Sequence, residues 1–444
     1  MGWLSRVSQV GWLGRVKPVG LVALALVLPA LTNLPDPLDL PDHVVAEQLS
    51  FEEATRDLKS ADPGVRLRAA QRLKQVSYLE AAIPLAALVT DPQDEVQLEA
   101  IAAELNIFLA EPIVPRKRVV FVVEVRNAVL SEPAFSAGPL AVGARPVPME
   151  VLTALRLGAR DDNPRVAIEA LYAFGALGGE PTGGARRALL RSSGPDIAAL
   201  VGASDPAMRY AAVRVLGRIF AKRAQDDPID ETVGDAVITS LNDADQVVKA
   251  AAMQTLGLMR YERSVQALAD LFAFYGKSDA AEAALDALAH IAHPASAPVF
   301  IAQLSGKSST RRGIAIEGLG RMGDASQLAD IQKALDADRS DAVTLAGVFA
   351  SALLANRPID RIADALTKPR LRAQARQYLI ELLPGRASAL TGHLQDPDAR
   401  LRLEVVDLLG VSGDPAALPL VEPLLNDRDA QVARAAVRAV AKLR

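Results

Sequence analysis

The stretch Asp396-Pro397-Asp398-Ala399-Arg400-Leu401-Arg402-Leu403-Glu404-Val405-Val406-Asp407-Leu408-Leu409-Gly410 decides the fold. Leu401, Val405, Leu408 and Leu409 recur at helical spacing and draw one apolar stripe. Asp396 is placed to cap the helix, accepting from its otherwise unpaired N–H groups. Pro397 suits a first helical position, where no N–H is missed. Gly410 suits a helix end, because it tolerates the left-handed conformation. Residues Ala387 to Leu394 supply a shorter helix before it. Neither helix can bury its stripe alone, so such pairs must stack on copies of themselves.

Those copies are present. The phrase of an Asp-rich turn, Val or Leu with Arg, and Ala-rich apolar spacing returns at Asp62-Pro63-Gly64-Val65-Arg66, at Asp91-Pro92 and at Asp162-Asn163-Pro164-Arg165-Val166. Further copies open near Asp205, Asp243, Asp279, Ser309, Asp341, Lys368, Asp396 and Asp427. Leu-Gly ends at Gly178, Gly217, Gly257, Gly320 and Gly410 are separated by 39, 40, 63 and 90 residues. The last two gaps are multiples of about 30, the period of a helical solenoid. The chain is therefore expected to be all-α, a solenoid of stacked antiparallel helix pairs.

Composition agrees. Of 444 residues 50% are hydrophobic and 23% charged, which excludes a disordered chain. Aromatics are 4%, so the interior is built from small aliphatic side chains suited to closely packed helices. The net charge of −4 gives no general reason to bind nucleic acid. Cysteine is absent, and the histidines are His43, His290, His293 and His393. Disulfides and thiolate metal sites are excluded, and a His-rich metal centre nearly so. His290 and His293 lie near a helix end with no third ligand of matching period. They read as capping or partly buried residues.

The pattern Asp-Pro-x-Val-Arg-x-x-Ala-x-x-Ala-Leu-Gly resembles the HEAT repeat family. Its short form is similar to the HEAT-like repeats of phycobilisome lyases. The resemblance covers residues 50–110 and 150–444, about eleven copies. It implies a right-handed solenoid whose second helices line a concave face. It is specific for fold and weak for function.

The division expected is residues 1–34 as an export signal or membrane anchor, 35–49 as a Pro-rich linker, 50–111 as the first repeats, 112–150 as an irregular insertion or degenerate repeat, and 151–444 as the main array. The first segment carries Arg6, Arg15 and Lys17 and then the apolar run Val19 to Leu31. That run is shorter than the roughly 20 residues that span a bilayer, and it reads as a secretory signal or an anchor through residues 18–34. Trp3 and Trp12, the two tryptophans, both lie in it. Residues 178–194, rich in Gly, Arg and Ser, read as a stretched loop between copies.

No chemistry of catalysis stands out. Gly318-Leu319-Gly320-Arg321-Met322-Gly323 spells a dinucleotide fingerprint but lacks the preceding strand that motif needs. Gly306-Lys307-Ser308 lacks the earlier glycine of a phosphate loop, since Ile301 stands there. Metal, cofactor and catalytic sites are therefore not expected. The recurring arginines carry two readings. One is an Asp–Arg ladder between copies, which the family commonly uses. The other is a partner-binding cationic stripe of Arg66, Arg209, Arg214, Arg370, Arg372, Arg400, Arg402 and Arg434, extended by Arg218, Lys222 and Arg223. The functional expectation is a non-catalytic scaffold of the bacterial cell envelope, periplasmic or membrane-anchored, binding a protein or peptide on its concave face. The alternatives are a lyase-like enzyme accessory and a membrane-anchored assembly factor.

Overall fold

The structure, a computed structural model, describes residues 51–109, 146–178, 184–221 and 228–443, which lie in one compact unit, Phe51–Arg444. The expected leader, the linker, His43, Lys222, Arg223 and most of the insertion lie outside the described residues. Eleven second helices run through the unit. They are α1 (Pro63–Val76), α2 (Asp94–Phe108), α3 (Pro164–Gly178), α4 (Pro206–Phe220), α5 (Gln246–Met259), α6 (Asp279–Ile291), α7 (Ser309–Arg321), α8 (Asp341–Leu354), α9 (Arg372–Leu382), α10 (Ala399–Ser412) and α11 (Ala430–Leu443). Each packs on the next, and shorter first helices such as Val265–Tyr275 and Leu328–Asp336 cover one side of the row. No β-strand occurs among the described residues. The core is one continuous band of Ala, Leu, Val and Ile running from Ala54 to Leu443.

The turns work as expected, with a shift in register. Asp62 and Asp205 cap α1 and α4, each followed by a proline in the first turn. In the opening stretch the cap is Asp398, which accepts from Arg400 N at 2.9 Å, and α10 begins at Ala399. Asp396 instead braces the turn, accepting from Asp398 N at 2.8 Å. Two acidic residues in one turn divide two tasks.

The Leu-Gly glycines also have a different role. Gly410 lies inside α10, which continues to Ser412, and Gly413 at φ 62° takes the left-handed position. A Cβ on Gly410 would stand 2.9 Å from Ala439 Cα. One on Gly320 would stand 2.8 Å from Ala350 Cα. At Gly257, Gly320 and Gly410 successive second helices touch backbone to backbone, a contact that a methyl group would wedge apart, whereas Gly217 faces the Thr255 side chain and Gly178 that of Leu190.

An Asp–Arg ladder ties copies together. Arg66 donates from Nε and Nη2 to Asp91 at 2.7 and 2.8 Å, and from Nη1 to Ser60 O at 2.8 Å. Arg209 repeats this with Asp243 and Ala203 O, Arg312 with Asp338 and Gly306 O, and Arg402 with Asp427 and Asp396 O. Each guanidinium thus closes its own turn and clamps the next. Gln97 takes the same place in the second copy, donating to Asp161 at 2.7 Å. Hydrogen bonds from the arginines hold Asp243, Asp338 and Asp427 below the usual carboxylate range. A depressed pKa contributes stability that is present above the unfolded value and lost as pH falls through the folded one. The ladder therefore weakens in acid, from about pH 4 downward.

Arg402 is buried, so its rung tests the ladder cleanly. Arg402→Ala leaves Asp427 and two carbonyls without their donor. It should destabilise the last two copies by roughly 2–4 kcal/mol. Hydrogen exchange should show α10 and α11 opening first, with α1 to α4 unchanged, because copies in such arrays couple mainly to neighbours.

Candidate functional site

The first helices cover one side of the second-helix row, and the other side is open. Along this open side the charged residues meet between copies. Lys74 pairs with Glu99, Arg376 with Glu404, and Arg438 with Asp407. Around α8 the arrangement tightens. That helix supplies no charged side chain after its first residue, and its neighbours reach across it.

The centre is Arg321 on α7. It donates from Nε and Nη2 to Glu381 on α9, both at 2.8 Å, and from Nη1 to Glu317 at 3.3 Å. Its guanidinium lies 5.0 Å above the ring of Phe349 on α8. Phe349 stacks on Tyr378 of α9, with ring centres 4.2 Å apart and planes inclined by 17°. The Tyr378 hydroxyl donates to Glu317 and accepts from Gln374 Nε2 at 2.6 Å. From α6, His290 Nε2 lies 3.3 Å from Gln377 Nε2 and 3.8 Å from Asp286 Oδ2. Side chains of α6, α7, α8 and α9 thus converge, and Arg321 and Gln377 bridge copies that are not neighbours. Such contacts require the open side to be concave here.

The electrostatics follow from enclosure. Burial opposes the charge on Arg321, yet its bonds to Glu381 and the nearby Glu317 outweigh this and hold the guanidinium protonated. Burial works against the Glu381 carboxylate, and Arg321 more than compensates, lowering its pKa. Burial and then Glu317 push the Tyr378 hydroxyl up, so it remains a donor. His290 is pushed down to about 3, by burial first and by Arg321 second. A neutral ring can then accept from Gln377. Asp286 is pushed up to about 7, by burial and by the charge of Glu317. Among the described residues its carboxylate takes no hydrogen bond, and its nearest ion partner is the neutral His290.

The eight arginines singled out from the sequence do not assemble into one stripe. Arg66, Arg209 and Arg402 are committed to the ladder between copies. Arg372 donates to Leu366 O at 2.8 Å, closing its own turn. Arg214 faces Gln254 Oε1 at 3.4 Å. Arg434 donates to Ala430 O at 3.1 Å, and Arg370 and Arg400 are exposed. The regular offset of Arg66, Arg209 and Arg402 from their turns is what a structural clamp requires. His293 caps a short turn, its Nδ1 accepting from Ala295 N at 3.2 Å. The apparent dinucleotide fingerprint is packing: Gly318 lies under the Phe300 ring, and Gly320 meets Ala350. Among the described residues no cluster of three metal-ligating side chains occurs.

Fold and site define a helical repeat protein, a row of stacked helix pairs with one face left open. Residues 195–274 and 386–444 match HEAT repeats. No curated protein matches the sequence. Among solved structures, an engineered protein aligns with 17% identity and a TM-score of 0.43, over 89% of this chain and 98% of that one. A chain of the CpcE–CpcF complex of phycocyanin lyase from Nostoc sp. PCC7120 aligns with 19% identity and a TM-score of 0.34, over 56% of this chain and 94% of that one. A chain from a structure of the cadherin–β-catenin interaction aligns with 14% identity and a TM-score of 0.41, over 91% and 98%. At these identities and scores the likenesses say nothing of activity or partner.

Proposed function

We propose that the chain is a non-catalytic scaffold that binds a protein or peptide partner along the open face of its second helices. The observation that carries this reading is the convergence of α6 to α9. It makes a concave, polar surface from side chains of four copies, with one face of the row uncovered by first helices. HEAT repeat solenoids are commonly interaction scaffolds, and stacked copies build an extended surface without long loops. The finer reading places the protein in the bacterial envelope, exported or anchored at the membrane. It rests on the charged and then apolar order of residues 1–34. Among the described residues no helix is long and apolar enough to cross a membrane.

Cross-linking in intact cells, followed by purification and mass spectrometry, tests both parts. A discrete protein attached through second-helix peptides is expected, together with recovery in the membrane or periplasmic fraction. Attachment only through first-helix peptides would overturn the binding face. Recovery in the cytosol with Trp3 and Trp12 peptides intact would overturn the envelope placement.

A further inference from the structure

The open face from α6 to α10 carries its charges in an ordered way. Arg321 and Arg376 are sunk, their side chains 4% and 12% exposed. Their carboxylate partners Glu381 and Glu404 stand higher, at 20% and 26%. Three ladder rungs show the reverse order, with Asp91, Asp243 and Asp338 more buried than Arg66, Arg209 and Arg312, while Arg402 and Asp427 are both nearly buried. Between α7 and α10 the open-face pairs present carboxylate oxygens to solvent with the cations beneath, whereas towards the ends of the row Lys74 and Arg438 stand higher than Glu99 and Asp407. The row sets Asp286, Glu317, Glu381 and Glu404 against Arg321 and Arg376, so it is acidic to an approaching chain.

Asp286 lies within this row and lacks a counter-ion. Its side chain is 42% exposed, open on one side and surrounded by neighbouring helices on the others. The charged and titratable groups that act on it and on His290 are Arg260, Glu317, Arg321 and Glu381. Arg321 is already taken by Glu317 and Glu381.

We infer that the open face of α6 to α10 is a docking surface for an extended partner segment bearing lysine or arginine, with one cationic side chain seated at Asp286. This rests on the scaffold reading and gives its partner a charge. An incoming ammonium or guanidinium would supply the one counter-ion the row lacks, in a site where enclosure strengthens the pair. The neighbouring upright carboxylates would receive further basic residues and orient the approach. Seating a cation favours the ionised carboxyl, so binding near neutral pH should release a proton from Asp286.

The test uses the full-length protein and a labelled peptide of alternating lysine and alanine, with a glutamate–alanine peptide as the opposite probe. The lysine peptide should bind, and Asp286→Asn should weaken it about tenfold, one missing charge pair's worth. Asp330→Asn makes the same charge change at an exposed first-helix position and should leave binding within about twofold. Calorimetry in buffers of different ionisation enthalpy should show proton release that Asp286→Asn abolishes. Equal weakening by both variants, or no proton release, would reduce the effect to general electrostatics and overturn the inference. So would binding of the glutamate peptide alone. In either case a partner captured in cells through second-helix peptides would leave the scaffold reading standing. Failure of that capture would remove the scaffold reading whatever the peptides do.

Discussion

Replacing Glu104 by leucine should stabilise the protein, against the usual direction of core substitutions. Glu104 lies on α2, fully buried, and neither carboxylate oxygen has a hydrogen-bond partner. It stands thirteen residues after Asp91. At the same offset after Ser60, Ala203, Asp243, Gly306, Leu366 and Asp396 stand Leu73, Leu216, Leu256, Leu319, Leu379 and Leu409. The fold thus wants leucine there and receives a carboxyl. Burial raises its pKa well above the ordinary value. The folded state then holds a proton that the unfolded chain releases above about pH 4.5. Stability consequently falls as pH rises from there through the folded pKa, and the full penalty applies above it. Glu104→Leu should gain roughly 1–3 kcal/mol at neutral pH. Denaturant unfolding of both proteins across pH 4 to 8 checks this. The variant should lose the component that declines with pH, and Glu104→Gln should lose it too with a smaller gain.

Arg321→Met should be the most damaging single change on the open face. It leaves Glu317 and Glu381 facing each other in an enclosed space and takes the cation from above Phe349. Removing one member of a buried ion cluster costs roughly 3–5 kcal/mol, because the remaining charges have no partner. Arg321→Met with Glu381→Leu should recover a substantial part of that loss, since an apolar pair needs no partner. Hydrogen exchange should place the damage in α7 to α9. A single variant no less stable than the double one would contradict the assignment of Arg321 as the clamp.

Much of the fold was legible because it depends on local signals that repeat. The helical spacing of Leu401, Val405 and Leu408, the acidic turns and the period near 30 residues all report one supersecondary unit. The glycines were legible as a period but not as to their role. Helix ends and close helix–helix contacts both select glycine, and only the approach of Ala439 to Gly410 separates them. Likewise two acids in one turn, Asp396 and Asp398, hide which one caps.

The site was largely hidden. Its members, Asp286, His290, Glu317, Arg321, Phe349, Tyr378 and Glu381, come from four helices, and although His290, Arg321 and Glu381 fall on the repeat period, the residue type changes from copy to copy. Arg321 reaches past the adjacent copy to Glu381, sixty residues on. Pattern reading found the periodic arginines instead, and periodicity is the mark of the clamp between copies. The two informative signals were departures from the pattern: Glu104 in a column of leucines, and α8 as a second helix without a charge beyond its first residue. Both can be found by aligning the copies on their ladder positions.

The central claim is that the open face of the second helices binds a partner. A photo-activatable residue placed at Ala373 on α9, exposed one turn before Gln377, tests it directly in cells, with the same residue at the exposed first-helix position Ile301 as the control. The account predicts one discrete adduct from position 373, absent from 301, and lost when the Asp286→Asn change is added. Adducts from 301 alone, or the same adducts from both positions, would contradict it.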